Sequence, residues 1–252
     1  MIALITGASS GIGRDLAREL ACRGFDLILV ARQKEKLVEL KKTLPVHVKV
    51  IPMDLSQPEN CLSLYRMVAD LPIDVFINNA GFGLFGEFIQ SDLDTEMNMI
   101  SLNVVAVHLL TKLFLRDFVK RDHGFILNVA SSAAFPVGGP LMTTYYATKA
   151  YVFHLTEGIY EELRRKKSKV SISVLCPGPV QTEFNQRANV EFSIRSLSSQ
   201  KVAEYAVEKM LRKKRVIVPG ITMKLVHELI RVVPESLMLR STYHMQRRKQ
   251  KK

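Results

Sequence analysis

Cysteine is scarce. Cys22, Cys61 and Cys176 lie far apart in 252 residues and form no C-x-x-C pair. That spacing argues against a disulfide-stapled scaffold or a dithiol redox motif, and the three read as buried free thiols in a reducing compartment. No uninterrupted apolar run approaches the ~18 residues that span a bilayer. The first strand pattern starts at Ile2, so no signal peptide is expected and the expected location is the cytoplasm, with membrane association a second option. His108 and His154 have no neighbours at metal-ligand spacing, read as structural, and give no metal site. Internal repeats, linkers and low-complexity stretches are missing before the last six residues. Acidic charge is nearly missing from one region. Residues 209–252 hold 13 Lys/Arg against Glu228 and Glu235, so a net +11 of the chain's +12 sits there and the body is close to neutral.

What remains is a chain that is 47% hydrophobic, too apolar to be disordered and long enough for one large α/β core. Apolar β-rich runs at Ile2–Thr6, Asp26–Ala31, Val46–Ile51, Asp74–Ile77, Gly124–Val129, Val170–Leu175 and Arg215–Val218 alternate with helical patterns. The helical patterns cover 12–23, 33–43, 57–70, 92–121, 143–167, 200–213 and 222–233. Continuous apolarity in the strands means both faces are buried, as in a parallel sheet. The pattern predicts a doubly wound α/β fold. One domain is expected, with residues 1–220 as its body and 221–252 as a basic, amphipathic C-terminal extension.

The first strand runs into Thr6-Gly7-Ala8-Ser9-Ser10-Gly11-Ile12-Gly13 and then a helix. Gly7 permits a sharp turn, Gly11 removes a Cβ where a pyrophosphate approaches, and Gly13 lets the helix pack on the strand. The helix N-terminus offers free N–H groups and the positive end of its dipole. Ser9, Ser10 and Ile12 complete the candidate cradle. Arg32 ends the second strand, where an NAD site usually carries an acid. Its guanidinium suits a 2′-phosphate, which favours NADP(H) over NAD(H). Asp26 sits at the wrong end of that strand. Asp54 and Leu55 follow the third strand, where the acid could accept from an adenine amino group or begin a helix cap. Asn78-Asn79-Ala80-Gly81 follows the fourth, and suits either a close approach to a cofactor or a plain strand-end turn.

Ser132 follows the fifth strand, Tyr145 comes thirteen residues later and Lys149 four after that. Positions i and i+4 share a helix face, so an ammonium lies beside the phenol. A fixed positive charge is expected to lower the Tyr145 pKa towards a range useful for acid–base work, and Ser132 could orient a carbonyl oxygen.

Together, Thr6-Gly-x3-Gly11-x-Gly13, Asn78-Asn79-Ala80-Gly81, Asn103, Ser132, Tyr145-x3-Lys149 and Pro177-Gly178 resemble the short-chain dehydrogenase/reductase family, over residues 1–220. The resemblance implies a Rossmann-type seven-stranded parallel sheet and an Asn103, Ser132, Tyr145, Lys149 tetrad. Tyr145 would protonate the carbonyl oxygen held by Ser132. Lys149 would bind the nicotinamide ribose, and Asn103 would hold a water relaying protons to Lys149. It also implies cofactor contacts from Gly7, Ser9, Ser10, Gly11, Ile12, Gly13, Arg32, Asp54, Leu55, Asn79, Ala80, Gly81, Pro177, Gly178, Val180 and Thr182. The activity implied is NADP(H)-dependent interconversion of a carbonyl and an alcohol. The long 92–121 and 143–167 helices resemble those making dimer and tetramer contacts in the family, so a homodimer or homotetramer is implied.

Phe82, Phe85, Phe88, Phe135, Leu141, Met142, Phe184 and Phe192 stand where ligands meet strand C-termini, which predicts an apolar pocket for a hydrophobic small-molecule substrate. They also fit a role in simply finishing the core. Three readings stay open for the tail. Its helix caps the pocket or packs on the sheet, it lies on an anionic membrane surface, or it binds nucleic acid weakly and without specificity.

Overall fold

The structure, a computed structural model, describes residues 1–181 and 197–247. Six strands, β1 (Ile2–Thr6), β2 (Asp26–Ala31), β3 (Val48–Pro52), β4 (Ile73–Asn78), β5 (Phe125–Val129) and β6 (Ser171–Leu175), begin the main sheet. Two short strands, β7 (Val180–Gln181) and β8 (Leu197–Ser198), pair with each other, and β9 (Val216–Ile217) completes the main sheet. The main sheet is seven-stranded and parallel in the order β3-β2-β1-β4-β5-β6-β9, the doubly wound Rossmann-type arrangement. Neighbouring residues of one strand feed opposite faces. Ala3 and Ile5 enter one core with Leu27, Leu29 and Val75, while Leu4 enters the other with Ile28, Val30 and Phe76. This is why the strands read as unbroken apolar runs.

The first core is closed by α1 (Gly11–Cys22), α2 (Lys34–Lys42) and, later in the chain, a helix at Ser199–Leu211. The second is closed by α3 (Pro58–Val68) and by the long helices that follow it. The expected 92–121 helix is built as α4 (Leu93–Ile100), a π-helical stretch at Ser101–Ala106, and α5 (Val107–Lys120). Next come α6 (Thr143–Arg165) and α7, the Ser199–Leu211 helix. By length and composition, Leu93–Lys120 is apolar enough to cross a bilayer. Its Leu110, Phe114 and Phe118 are buried against the sheet, as in the core helix of an α/β protein.

Three sequence expectations change. Cys22 is exposed, and only Cys61 and Cys176 are buried, because Cys22 closes α1 at its solvent end. The 222–233 helix stops earlier, as α8 (Ile221–Leu229) with a 3-10 turn at Ile230–Val232 before Pro234. A further helix, α9 (Glu235–Arg247), was not anticipated. Its buried residues Met238, Thr242 and Gln246 repeat at i, i+4 and i+8, but two of the three are polar, so hydrophobic periodicity does not reveal it.

A buried polar network locks the middle of the sheet to α5 and α6. Asn78 Nδ2 donates to Asn128 Oδ1 and Thr111 Oγ1, the Thr111 hydroxyl donates to Asn128 Oδ1, and Asn128 Nδ2 donates to Thr156 Oγ1. Asn128 is fully buried and sits at the centre. Replacing it by Ala leaves several buried polar groups without partners, each costing about 1–3 kcal/mol. Asn128→Ala is expected to lower the free energy of unfolding by about 2–4 kcal/mol in urea titrations; a loss below about 0.5 kcal/mol contradicts the network's role.

Candidate active site

The site forms where the strand order reverses, between the C-terminal ends of β1 and β4, the place where open α/β sheets bind ligands. Gly7 and Gly11 take φ of +66° and +53° to turn the chain from β1 into α1. A Cβ on Gly13 would lie 2.2 Å from the Gly7 carbonyl oxygen, so only glycine lets α1 come this close. Ser10 is the N-cap but makes no side-chain cap bond, and the first turn holds no acid. The first N–H groups of α1 and its dipole are thus left for an anion.

Asn79 holds the cradle shut. Its Nδ2 donates to the carbonyl oxygens of Thr6 and Gly7 at 3.0 and 3.1 Å. The backbone N–H groups of Asn79 and Ala80 donate to Thr6 Oγ1 at 3.0 and 3.1 Å. Asn78 points the other way, into the buried network, so the two asparagines divide the two roles the sequence left open. Asp54 Oδ1 accepts from the Ser56 N–H at 3.0 Å, stabilising the turn before α3, and Asp54 also lines the cavity. Arg32 is exposed at the cavity rim beside Gln33. At the opposite end of β2, Asp26 accepts from the His47 N–H.

A single cavity of about 530 Å³ joins these groups to the second cluster. Gly7, Ser9, Ser10, Gly11, Ile12, Gly13, Arg32, Asp54, Leu55, Asn79, Ala80, Gly81, Ser132, Tyr145, Lys149, Pro177, Gly178 and Val180 all line it. Thr182, Phe184 and Phe192 lie outside the described residues. Asn103 does not reach the cavity. It is fully buried on the π-helical stretch, with Oδ1 accepting from the Phe82 N–H at 3.1 Å. Its Nδ2 donates to Phe82 O at 2.9 Å and Thr148 Oγ1 at 3.1 Å. It therefore fixes the loop after β4 to the helix that carries Lys149.

Tyr145 and Lys149 occupy one face of α6, and Lys149 Nζ sits 5.8 Å from the Tyr145 ring centre and donates to Val129 O at 3.0 Å. The expected lowering of Tyr145 does not occur. Burial pushes the phenol up to about 12, a hydrogen bond from Ser131 opposes the rise, and nearby Tyr146 adds to it. Burial likewise pulls Lys149 down to about 8. The sequence displays the charge partner but hides the desolvation that dominates both groups. Ser131 thus joins Ser132 as a site residue. Its Oγ accepts from the Ala133 N–H, which leaves its proton for Tyr145.

The C-terminal segment closes the cavity, the first of the three readings of the tail. Met223, Val226 and Ile230 from α8 and its 3-10 turn, with Thr242, Met245 and Gln246 from α9, line it. Gln246 Nε2 donates to the Tyr146 hydroxyl at 2.5 Å. Of the aromatics and apolar residues assigned to the substrate side, Phe82 and Met142 line this cavity. Phe135 instead packs against the His227 ring of α8, the centroids 4.3 Å apart and the planes tilted by 42°. The α9 residues were missed because one helical turn of mixed polarity carries them.

The model of the short chain dehydrogenase family matches residues 1–191. The very-long-chain 3-oxoacyl-CoA reductase-B of Danio rerio is 39% identical over 173 residues, 65% of this chain and 55% of that protein. The 17-beta-hydroxysteroid dehydrogenase type 3 of Homo sapiens is 34% identical over 194 residues, 74% of this chain and 61% of that one. The chain thus spans less than two thirds of the length of these curated relatives. A short-chain dehydrogenase from Sphingobium yanoikuyae in complex with NADPH superposes with a TM-score of 0.80 at 29% identity, covering 93% of this chain and 97% of that one. A short chain dehydrogenase/reductase from Burkholderia phymatum in complex with NAD gives 0.80 at 26% identity, covering 92% and 94%. The two complexes support a nicotinamide dinucleotide without choosing between its forms.

The Lys149 shift has a consequence for binding. An anionic ligand in the cradle favours the ammonium, so affinity is full below about pH 8, where Lys149 is charged, and falls as pH rises through that value. Fluorescence titration with NADPH is expected to show this break, and Lys149→Met to bind weakly without it. An affinity in the intact protein that stays flat across the same interval contradicts the assignment.

Proposed function

Since the chain belongs to the short-chain dehydrogenase/reductase family, an oxidoreductase family, we propose that it is an NADP(H)-dependent reductase of hydrophobic ketones, with the reverse oxidation open to it. The observation that carries the reading is the shared cavity, in which the glycine cradle and Arg32 lie at one end, Tyr145 and Lys149 in the middle, and an apolar lid over the rest. When bound, the dinucleotide supplies the hydride. Its pyrophosphate fits the free N–H groups of α1, and Arg32 meets a 2′-phosphate with charge-assisted hydrogen bonds. Thr182 is assigned to the nicotinamide carboxamide.

Tyr145, protonated across the neutral range because burial raises it, donates its proton to the carbonyl oxygen as hydride arrives at the carbon. Ser132, with Ser131 behind Tyr145, orients that oxygen. Lys149 binds the nicotinamide ribose and favours the phenolate left on Tyr145 by proton transfer. Asn103 is the fourth member, holding Phe82 and Thr148 in place beside Lys149; the relay water is assigned to its carbonyl. The substrate reading, an acyl-chain or lipid-like ketone of the 3-oxoacyl class, is supported by Phe82, Met142, Met223, Val226, Ile230 and Met245 around the cavity and by the very-long-chain reductase and hydroxysteroid dehydrogenase relatives. We assign the catalytic body to 1–220 and the lid to 221–252. The protein works in the cytoplasm, a reducing compartment suited to its free thiols, as a homodimer or homotetramer built on α5 and α6, with its basic tail drawn to anionic membrane.

Tyr145→Phe is expected to reduce ketone turnover by at least about 100-fold, the scale of a general acid, while NADPH still quenches protein fluorescence; retained activity sinks the proton-donor assignment. Arg32→Asp removes a charged partner and adds a repelling one. Its kcat/KM ratio for NADPH over NADH should fall by about 10- to 100-fold, and an unchanged ratio means another group reads the 2′-phosphate.

A further inference from the structure

The lid has two apolar faces and only one is used. Met223, Val226 and Ile230 face the cavity, yet α8 contains no buried residue. On its other side Ile221, Leu225 and Leu229 recur at i, i+4 and i+8 and are 77%, 57% and 60% exposed. Val232 at 79% and Leu237 at 55% continue the stripe across the turn into α9. Val137 after β5 and Phe88 and Ile89 after β4 are also exposed. All of these segments leave the carboxyl ends of parallel strands, so they share one end of the molecule. Leu239 of α9 lies against Gly138, next to Val137. Isolated exposed apolar residues are ordinary, but an apolar stripe along the outer side of a helix whose inner side lines the cavity marks a surface that meets something apolar.

Charge decides what that is. The stripe belongs to the segment 221–252, which holds eight Lys/Arg against Glu228 and Glu235, a net +6, with Lys224, Arg240 and Arg247 exposed on the lid itself. A second copy of the chain would bring an equally basic segment against this one and be repelled. Nucleic acid would take the charge and leave the apolar stripe in water. An anionic bilayer surface satisfies both, with apolar side chains entering the acyl boundary and cations meeting the headgroups.

We propose that the outer face of α8, its 3-10 turn and the start of α9 docks on anionic membrane, and that the cavity mouth thereby opens onto the lipid. An apolar ketone then passes from the acyl layer past Met223, Val226 and Ile230 to Tyr145 without crossing water. Docking stands on the surface alone; delivery of substrate rests on the reductase reading above. The distinction from the basic tail is that apolar insertion, not charge alone, holds the protein on the membrane.

The test compares the full chain with Leu225→Asp/Leu229→Asp and with the milder Leu225→Ala/Leu229→Ala, neither of which alters a cavity-lining side chain. Flotation uses vesicles of mixed phosphatidylcholine and phosphatidylglycerol, and of phosphatidylcholine alone. Unmodified protein is expected to float with the anionic vesicles and less with the neutral ones, the Asp variant to stay in solution, and the Ala variant to fall between. NADPH oxidation with a short, water-soluble ketone should be unchanged in both variants. With a long-chain ketone embedded in anionic vesicles, the Asp variant should lose at least about tenfold. Flotation of the Asp variant equal to that of unmodified protein overturns the proposal, as does failure of unmodified protein to float. Loss of a dimer in the Asp variant, seen by light scattering with no flotation of either protein, overturns it in favour of a second copy. If no ketone is turned over but the flotation pattern holds, docking stands and the reductase reading falls. If the soluble ketone is reduced and flotation fails, the reverse is true.

Discussion

The structure depends on one clamp, the Asn79 amide against the Thr6 and Gly7 carbonyl oxygens. β1 and β4 are neighbours in the sheet but 71 or more residues apart where Thr6 meets Ile77 and Asn79. From this pair the helices leave to opposite faces, so their ends diverge and open a crevice. Two carbonyl oxygens at the lip of such a crevice would face an anion and repel it. Asn79 occupies them with its own N–H groups, and the Thr6 hydroxyl takes up the N–H groups of Asn79 and Ala80. The free N–H groups of α1 are then left facing outward. Gly7 and Gly13 have no Cβ because this clamp fills the space, since a Cβ on either would lie within 2.8 Å of Asn79 Nδ2.

Burial organises the chemistry in the same way. A phenol and an amine buried together shift in opposite senses, both towards the neutral form. The result is a proton donor that keeps its proton in neutral solution and an amine whose charge is easily switched by a neighbouring anion. In the proposed reaction a bound polyanion holds the Lys149 charge, which favours the phenolate that proton transfer leaves on Tyr145.

The strands, the cradle and the Tyr145/Lys149 pair were legible because each rests on local pattern: apolar runs, glycine spacing, an i, i+4 face. The parts that were not legible depend on what the chain meets in three dimensions. Tyr145 has a lysine four residues on, and from that alone its pKa should drop; it rises because burial disfavours the phenolate and Tyr146 adds to this, against the opposing hydrogen bond from Ser131. Cys22 looked buried like Cys61, yet it falls on the last turn of α1, at the solvent end. Asn103 is read as holding a relay water, and the sequence does not show that its side-chain amide also binds Phe82 and Thr148. The α9 helix was overlooked because Thr242 and Gln246 break the hydrophobic count, although they are buried as completely as core residues, at 4% and 1% exposure.

The lid owes its position to sheet order. β9 is the edge strand beside β6, and whatever follows β9 emerges at the carboxyl end of the sheet, next to the Pro177–Gly178 turn after β6. α8 therefore lands over that turn, and Gly178 leaves room for Met223, whose Cγ would sit 2.7 Å from a Cβ there. Pro234 separates the 3-10 turn from α9, and α9 lies against Gly138 through Leu239 and against Tyr146 through Gln246. Edge placement also leaves the far side of α8 with no further element of the sheet to pack on. A helix so placed is apolar on both sides only if both sides have a partner. The inner partner is the cavity, and the outer one is, in the proposal above, an anionic membrane surface.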